Sequence, residues 1–387
     1  MNLKTPRNSR HPWIFTKMVF HPRRRPEPGS IVEIYNRDGG FVGRGIYHPN
    51  RTIAVRLLTE NRDEFLDEVF FRERLEQAKA LRENVLHIPE QSDSYRLVHS
   101  EGDGLSGLII DKYADVIVAE PYSAGYLTLW PMIADALKQL YPGHKVALRP
   151  DTRTEEGEGV SFAELARQYP CPKSVDITEN KMRMRVDLDA GHKTGYFLDQ
   201  RENRALIASM AQGKEVLDLF CYTGGFSIAA TLKGAARATG VDLDEKALVT
   251  AETNAKLNSV EVDYVHEDAF NYLRRMISEK RKADIVVVDP AKLAGVKAEI
   301  PRALKTYNDI NALAMQAVKP GGILLSCSCS GLISEQQFLS VLVNAAGEAR
   351  MELQTFRVNG ASPDHPVRTD FPEGRYLVTV YSRVLRG

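Results

Sequence analysis

The chain of 387 residues exceeds the roughly 100 to 200 residues of an ordinary domain, so two or three domains are expected. Its 43% hydrophobic and 26% charged content is that of a globular protein, and no apolar run approaches the roughly 18 residues of a membrane span. With 51 basic and 51 acidic residues the net charge is zero, which excludes a polycation and leaves only local clusters to bind nucleic acid. The N-terminus, "MNLKTPRNSRHPWIF", lacks the apolar core and cleavage site of a signal peptide, so a cytoplasmic location is the default expectation. Cys171, Cys221, Cys327 and Cys329 are too few and too unevenly placed for a disulfide framework. The Cys327-x-Cys329 pair has no second Cys or His pair nearby to complete a tetrahedral metal site, so no metal is expected.

Residues 1–70 read as β-rich: "SIVEIYNRDGGFVGRGIYHPNRTIAVRLL" alternates apolar and polar residues around a hairpin turn at Asp38-Gly39. Arg23, Arg24 and Arg25 of "HPRRRP" form a basic cluster, either a solvated loop or a contact for RNA phosphates. From Arg62, "RDEFLDEVFFRERLEQAKALRENV" has helical spacing and crosses into a second region, 71–188. There "YRLVHSEGDGLSGLIIDKYADVIVAEPYS" reads as three strands and "YLTLWPMIADALKQLYP" as a helix. "EGDGLSGL" is a hairpin turn rather than a phosphate cradle, because no helix follows it.

In the third region, 189–387, short strands alternate with helices: "KEVLDLF", "RATGVDL", "DYVHED", "ADIVVVD" and "GGILLSC", then "MELQTFRV" and "YLVTVYSRV". This pattern predicts a doubly wound α/β sheet of seven strands with an antiparallel edge. Ligands of such sheets sit beyond the carboxyl ends of the strands, where Asp218, Asp242, Asp268, Asp289 and Cys329 fall. The first turn, "DLFCYTGGFS", has Gly224 and Gly225 but no G-x-G-x-x-G, and Asp218 would repel a pyrophosphate. An acid there suits an ammonium, Asp242 suits ribose hydroxyls and Asp268 suits an adenine amine. These demands together fit S-adenosylmethionine; singly, each acid is more often a turn or helix cap.

"VVVDPAKLA" and "LLSCSCSGL" bear on the methyl acceptor. Carbon-5 of a pyrimidine is a poor nucleophile until a thiolate adds to carbon-6, which requires one cysteine and an acid to neutralise the ring. Asp289 is the candidate acid. Two cysteines on a strand also suit a buried core. Cys329 lies beside Gly331, where the chain leaves the sheet, and is preferred over Cys327 as the exposed thiol.

In "RHPWIF", "SEGDGLSGLIIDKY", "GHKTGYFLDQRENR", "VLDLFCYTGGFSIAA", "GVDLDEKAL", "EDAF", "VVVDPAK", "SCSGL" and "FPEGRYL", in this order, the chain resembles the bacterial 23S ribosomal RNA cytosine-5 methyltransferases that carry a PUA domain, the large-subunit methyltransferase I group. The resemblance spans nearly the whole length. It implies a PUA domain, a central α+β domain of two strands, a helix and two strands (EEHEE), and a Rossmann-like seven-stranded methyltransferase domain, often as a homodimer. The donor S-adenosyl-L-methionine would be held by Gln200, Arg201, Asp218, Phe220, Tyr222, Gly224, Asp242, Asp268 and Ala269. Cys329 would be the nucleophile and Asp289 the acid, with Lys193 and Arg23 to Arg25 meeting 23S ribosomal RNA or a large-subunit precursor.

Two departures stand out. No cysteine follows Asp289-Pro290, so one thiol must serve, and Ala291 replaces the family's usual second proline. An exocyclic-amine or uracil-5 RNA methyltransferase, which in the first case would not need Cys329, and a non-catalytic RNA-binding assembly factor are the alternative readings.

Overall fold

A computed structural model of the chain describes all residues except Pro6, Asn8, His21, 49–51, 190–193 and Gly387. The chain divides into two compact units: Met1–Thr178 with Val186–Leu198 and Pro363–Gly374, and Glu179–Arg185 with Asp199–Ser362 and Arg375–Gly387.

The first unit opens with a six-stranded sheet: β1 (Asn2–Leu3), β2 (Trp13–Phe15), β3 (Val19–Phe20), β4 (Ile31–Tyr35), β5 (Phe41–Tyr47) and β6 (Ile53–Thr59), ordered β2-β6-β5-β4-β1-β3. β4 and β5 form the expected hairpin, whose turn places Gly39 at φ 86°, a conformation open to glycine at little cost. Leu3, Ile14, Val19, Ile34 and Val55 fill a small core of their own.

Helix α1 (Glu68–Ala80) begins six residues after Arg62 because the Asp67 side chain caps it, accepting from the Phe70 amide at 3.0 Å. A second sheet follows: β7 (Ser94–His99), β8 (Leu108–Tyr113), β9 (Val116–Pro121), helix α2 (Tyr126–Leu140) and β10 (Lys145–Leu148), ordered β10-β9-β8-β7. Its three strands before the helix are those read from the residues, whereas the resemblance implied two strands on each side of the helix (EEHEE); only β10 follows α2 in this sheet, and "EGDGLSGL" is the β7–β8 hairpin loop. Leu129, Trp130, Ile133 and Leu137 of α2 are buried in the same core as Phe71 and Leu75 of α1. Short helices α3 (Thr152–Glu158) and α4 (Ala163–Gln168) lead to a separate hairpin of β11 (Ser174–Glu179) and β12 (Met182–Asp187).

Asp364 explains why Pro363–Gly374 returns to this unit. Its carboxylate accepts from the Arg96 amide at 2.9 Å, its carbonyl accepts from Arg82 at 2.7 Å, and a Cβ on Gly102 would lie 2.1 Å from the Pro366 carbonyl. His365 is buried beside Asp364, its ring centroid 5.0 Å from that of His99 and tilted by 59°.

The second unit is built on a seven-stranded sheet. After α5 (Arg201–Ser209) come β13 (Glu215–Leu219), α6 (Gly225–Leu232), β14 (Arg237–Asp242), α7 (Glu245–Leu257), β15 (Asp263–His266), α8 (Ala269–Ser278) and β16 (Ala283–Val288). Then α9 (Ile300–Ala317), β17 (Val318–Ser328), α10 (Glu335–Ala349), β18 (Met351–Asn359) and β19 (Val378–Arg386) complete it. The order is β15-β14-β13-β16-β17-β19-β18, parallel through β17, with β19 alone reversed and antiparallel to both β17 and β18. This is the doubly wound sheet expected from the residues. Glu179–Arg185 belongs here because Arg204 pairs bidentately with Glu179 at 2.7 and 2.6 Å, while Asn254 and Asn258 of the α7 region accept from the Arg185 and Arg183 amides. Among the described residues no helix is long and apolar enough to cross a membrane.

Candidate active site

Within the second unit the order of strands brings the ends of β14, β13, β16 and β17 side by side, as expected at the carboxyl edge of such a sheet. Asp218 lies one residue inside the end of β13 and is buried; its Oδ2 accepts from the Ser227 amide at 3.0 Å. Oδ1 is buried with no hydrogen-bond partner. Burial first, then the charges of Asp289 and Asp242 against the opposing Ser227 bonds, push this carboxyl up to about 7. An orphaned buried acceptor beside a parallel-sheet edge fits the ammonium of S-adenosylmethionine.

The loop after β13 is wound tightly: Phe220, Tyr222 and Gly224 have φ of 60°, 49° and 83°. Asp242, the last residue of β14, holds that loop by accepting from the Tyr222 amide at 2.8 Å, while its other oxygen accepts from Asp244 at 2.9 Å. Gly224 caps α6, and a Cβ there would lie 2.2 Å from Tyr264 Oη. Tyr264, on β15, also fills the space that a Cβ on Gly240 would need. No local motif marks Tyr264; the glycines opposite it are its signal in the sequence. Asp268 caps α8 through the Asn271 amide at 3.1 Å, the ordinary structural role for such a residue, and Ala269 is the buried first residue of that helix.

Gln200 and Arg201 open α5, both buried. The Gln200 amide donates to Asp289 Oδ2 at 2.9 Å, tying this expected donor residue to the candidate acid. Its own oxygen accepts from Asn203 at 2.7 Å, and Asn203 in turn accepts from Tyr381 at 2.7 Å. No motif marks Asn203; its position three after Gln200 on one helix face is its signal in the sequence.

The two thiols differ sharply. Cys327 lies within β17, opposite Thr379 of β19, and is 1% exposed; burial, then the Asp289 charge, hold its thiol well above the usual range. Cys329 lies just past the strand, half-buried, with Sγ 3.6 Å from the Pro290 carbonyl. It therefore adjoins the residue that follows Asp289. Ser330, another residue not anticipated, accepts from the Leu293 and Ala294 amides at 3.1 and 3.2 Å and joins the "DPAK" and "SCSGL" loops, with Tyr307 on its hydroxyl. Ala291 is exposed.

In the first unit, Arg23, Arg24 and Arg25 are exposed between β3 and β4 and make no ion pair within 4 Å with a described residue. Lys193 lies outside the described residues. Among the described residues no group of three His, Cys, Asp or Glu side chains is arranged to hold a metal.

Residues 161–366 match the S-adenosylmethionine-dependent methyltransferase family, and residues 5–60 match a PUA-like domain. Fold and site thus define an S-adenosylmethionine-dependent methyltransferase with an N-terminal PUA-like domain. The ribosomal RNA large subunit methyltransferase I of Pseudoalteromonas atlantica is 38% identical over 379 residues, covering 97% of this chain and 96% of that one. Its namesake from Shewanella frigidimarina is 39% identical over 381 residues, with the same coverage. The chain belongs to the family of the ribosomal RNA large subunit methyltransferases I. The crystal structure of SMU.776 complexed with SAH shares the fold at a TM-score of 0.82 and 22% identity, over 97% of this chain and 96% of that one.

Proposed function

We propose that the protein methylates carbon-5 of a cytosine in 23S ribosomal RNA through a covalent adduct on Cys329. The observation that carries this reading is the contrast of the two thiols: Cys327 is sealed in the sheet, while Cys329 is half-buried beside Pro290. S-adenosylmethionine, held by the Asp218 region, would supply the methyl group to carbon-5, its sulfonium–methyl bond breaking to leave S-adenosylhomocysteine. The relatives named for large-subunit ribosomal RNA supply the substrate class.

In this mechanism Cys329 Sγ attacks carbon-6 of the cytosine, and the displaced π electrons move toward ring nitrogen-3, which takes a proton from Asp289. The Gln200 amide donates to Asp289 Oδ2 at 2.9 Å and holds the carboxyl in place. Carbon-5, now enamine-like, forms the new carbon–carbon bond. Loss of its proton to a base then breaks the Sγ–carbon-6 bond, restores the aromatic ring and frees the thiolate, while nitrogen-3 returns its proton to Asp289.

A 5-fluorocytosine RNA tests the covalent step, because fluorine cannot leave carbon-5 as a proton does. Wild type is expected to form an RNA adduct that survives denaturation, with Cys329→Ala forming none and losing methyl transfer while S-adenosylhomocysteine affinity stays near normal. Cys327→Ala should keep both activities. An adduct that follows Cys327 would overturn the assignment, and methylation that survives Cys329→Ala would point to attack by an exocyclic amine instead.

A further inference from the structure

The first unit contains a cavity of about 930 Å³ that plays no part in the chemistry above. Its wall is formed by the end of β9 with Glu120 and Tyr122, by Arg56 of β6, by His48, and by Arg149 and Arg153 on either side of Asp151. The volume is that of a small-ligand site, which typically spans about 300 to 1,000 Å³.

Glu120 is the feature that calls for a ligand. It is 9% exposed, and its Oε2 is buried without a hydrogen-bond partner among the described residues. A buried carboxylate oxygen left without a donor is costly, and native proteins seldom retain one. The neighbouring acid, Glu158, is differently placed: one oxygen accepts from the Ala124 amide at 2.8 Å and the other lies 3.0 Å from His48 Nδ1. Burial raises the pKa of Glu120, while a hydrogen bond from Tyr122 and the charge of Arg149 oppose the rise, so Oε2 alone is left without a donor. The cavity therefore offers a buried acceptor that a donor-bearing ligand satisfies, with guanidinium groups on the same wall suited to phosphate.

We propose that this cavity takes one unpaired guanosine of the RNA substrate, its Watson–Crick edge donating to the Glu120 carboxylate and its phosphates facing Arg149 and Arg153. Guanine is the base whose edge presents two adjacent N–H donors, N1–H and N2–H, which match a carboxylate. Unpaired bases are also the usual target of sequence-specific RNA recognition. The subsite rests on the proposed RNA substrate and adds a sequence preference at a nucleotide other than the one methylated.

The test uses the full chain and uridine hexanucleotides that carry one central guanosine, inosine or adenosine, with affinity read by fluorescence anisotropy. The guanosine probe is expected to bind about tenfold more tightly than the inosine probe, which lacks the N2 amine. Glu120→Gln, which turns one acceptor into a donor, should erase that preference. Arg153→Glu should weaken all three probes alike, and keeps the proposal testable if Glu120→Gln fails to fold. Equal affinity for guanosine and inosine probes in the wild type, or a guanosine preference that survives Glu120→Gln, would overturn the subsite. So would free guanosine monophosphate that binds as tightly as the hexanucleotide with the same Glu120 dependence, since the cavity would then be a free-nucleotide site. Methyl transfer to ribosomal RNA is measured separately: its absence alongside a Glu120-dependent guanosine preference removes the proposed reaction and leaves the subsite standing.

Discussion

In the proposed donor site, Asp218 is the acid whose titration falls near neutrality. Its carboxyl, pushed up to about 7 by burial, is protonated in acid and ionised above neutrality. A bound ammonium favours the ionised form, so the complex has the lower pKa and binding releases a proton whenever the free carboxyl holds one. Affinity is therefore fully developed above about pH 7 and falls as pH drops below it, by up to tenfold per unit until the complex itself protonates. Calorimetric titration with S-adenosylhomocysteine from pH 5 to 7.5 is expected to show this fall, and Asp218→Asn should bind weakly with a much flatter profile. A wild-type affinity independent of pH in this range would remove Asp218 from the ammonium site. The acid itself was legible in "VLDLF", whereas its unpaired oxygen was not, because pairing depends on where the Ser227 amide falls after the turn.

The segment Phe220–Gly224, between β13 and α6, concentrates left-handed backbone at three of five residues. Gly224 is the position where this geometry is least replaceable: φ is 83°, and an added Cβ would meet Tyr264 Oη at 2.2 Å. Left-handed backbone costs an L residue roughly 1 kcal/mol or more, and the collision adds to it. Gly224→Ala should lower the thermal midpoint and weaken donor binding together. Tyr264→Phe removes the nearest atom but leaves Cζ at 3.1 Å, so the double variant should recover part of the loss. Equal costs of Gly224→Ala in both backgrounds would show that the tyrosine is not what excludes a side chain. At this scale the sequence revealed the strands, their order of appearance and the acids at their ends, since apolar runs and turn residues are local signals. It did not reveal Tyr264, Asn203 or Ser330, whose roles depend on partners far away in the chain. Nor did the linear boundaries at 70 and 188 foresee Pro363–Gly374 joining the first unit, which follows from Asp364 meeting Arg82 and Arg96.

For the whole molecule, neutrality shapes how RNA is held. A chain with 51 basic and 51 acidic residues offers no general attraction to a polyanion, so binding must depend on unneutralised local charge. Many guanidinium groups are already committed, as in Arg82–Asp103, Arg96–Asp111 and Arg204–Glu179. Arg23, Arg24 and Arg25 are exposed in the loop between β3 and β4 of the PUA-like domain and unpaired with any described residue within 4 Å, which leaves their charge available to phosphates. Each phosphate neutralised on a single strand steepens the log–log dependence of affinity on salt by about 0.7, so three contacts amount to a slope change of roughly 2. Charge reversal at all three positions should flatten the slope by about that amount and weaken RNA binding at low salt, with S-adenosylhomocysteine affinity unchanged because the strand-end acids all lie in the second unit. Base preference should persist, since phosphate contacts position the strand without reading it. Filter binding across a salt series decides the matter: a slope identical to that of the wild type would make the cluster a solvated loop and shift the RNA contacts to other cations of the chain.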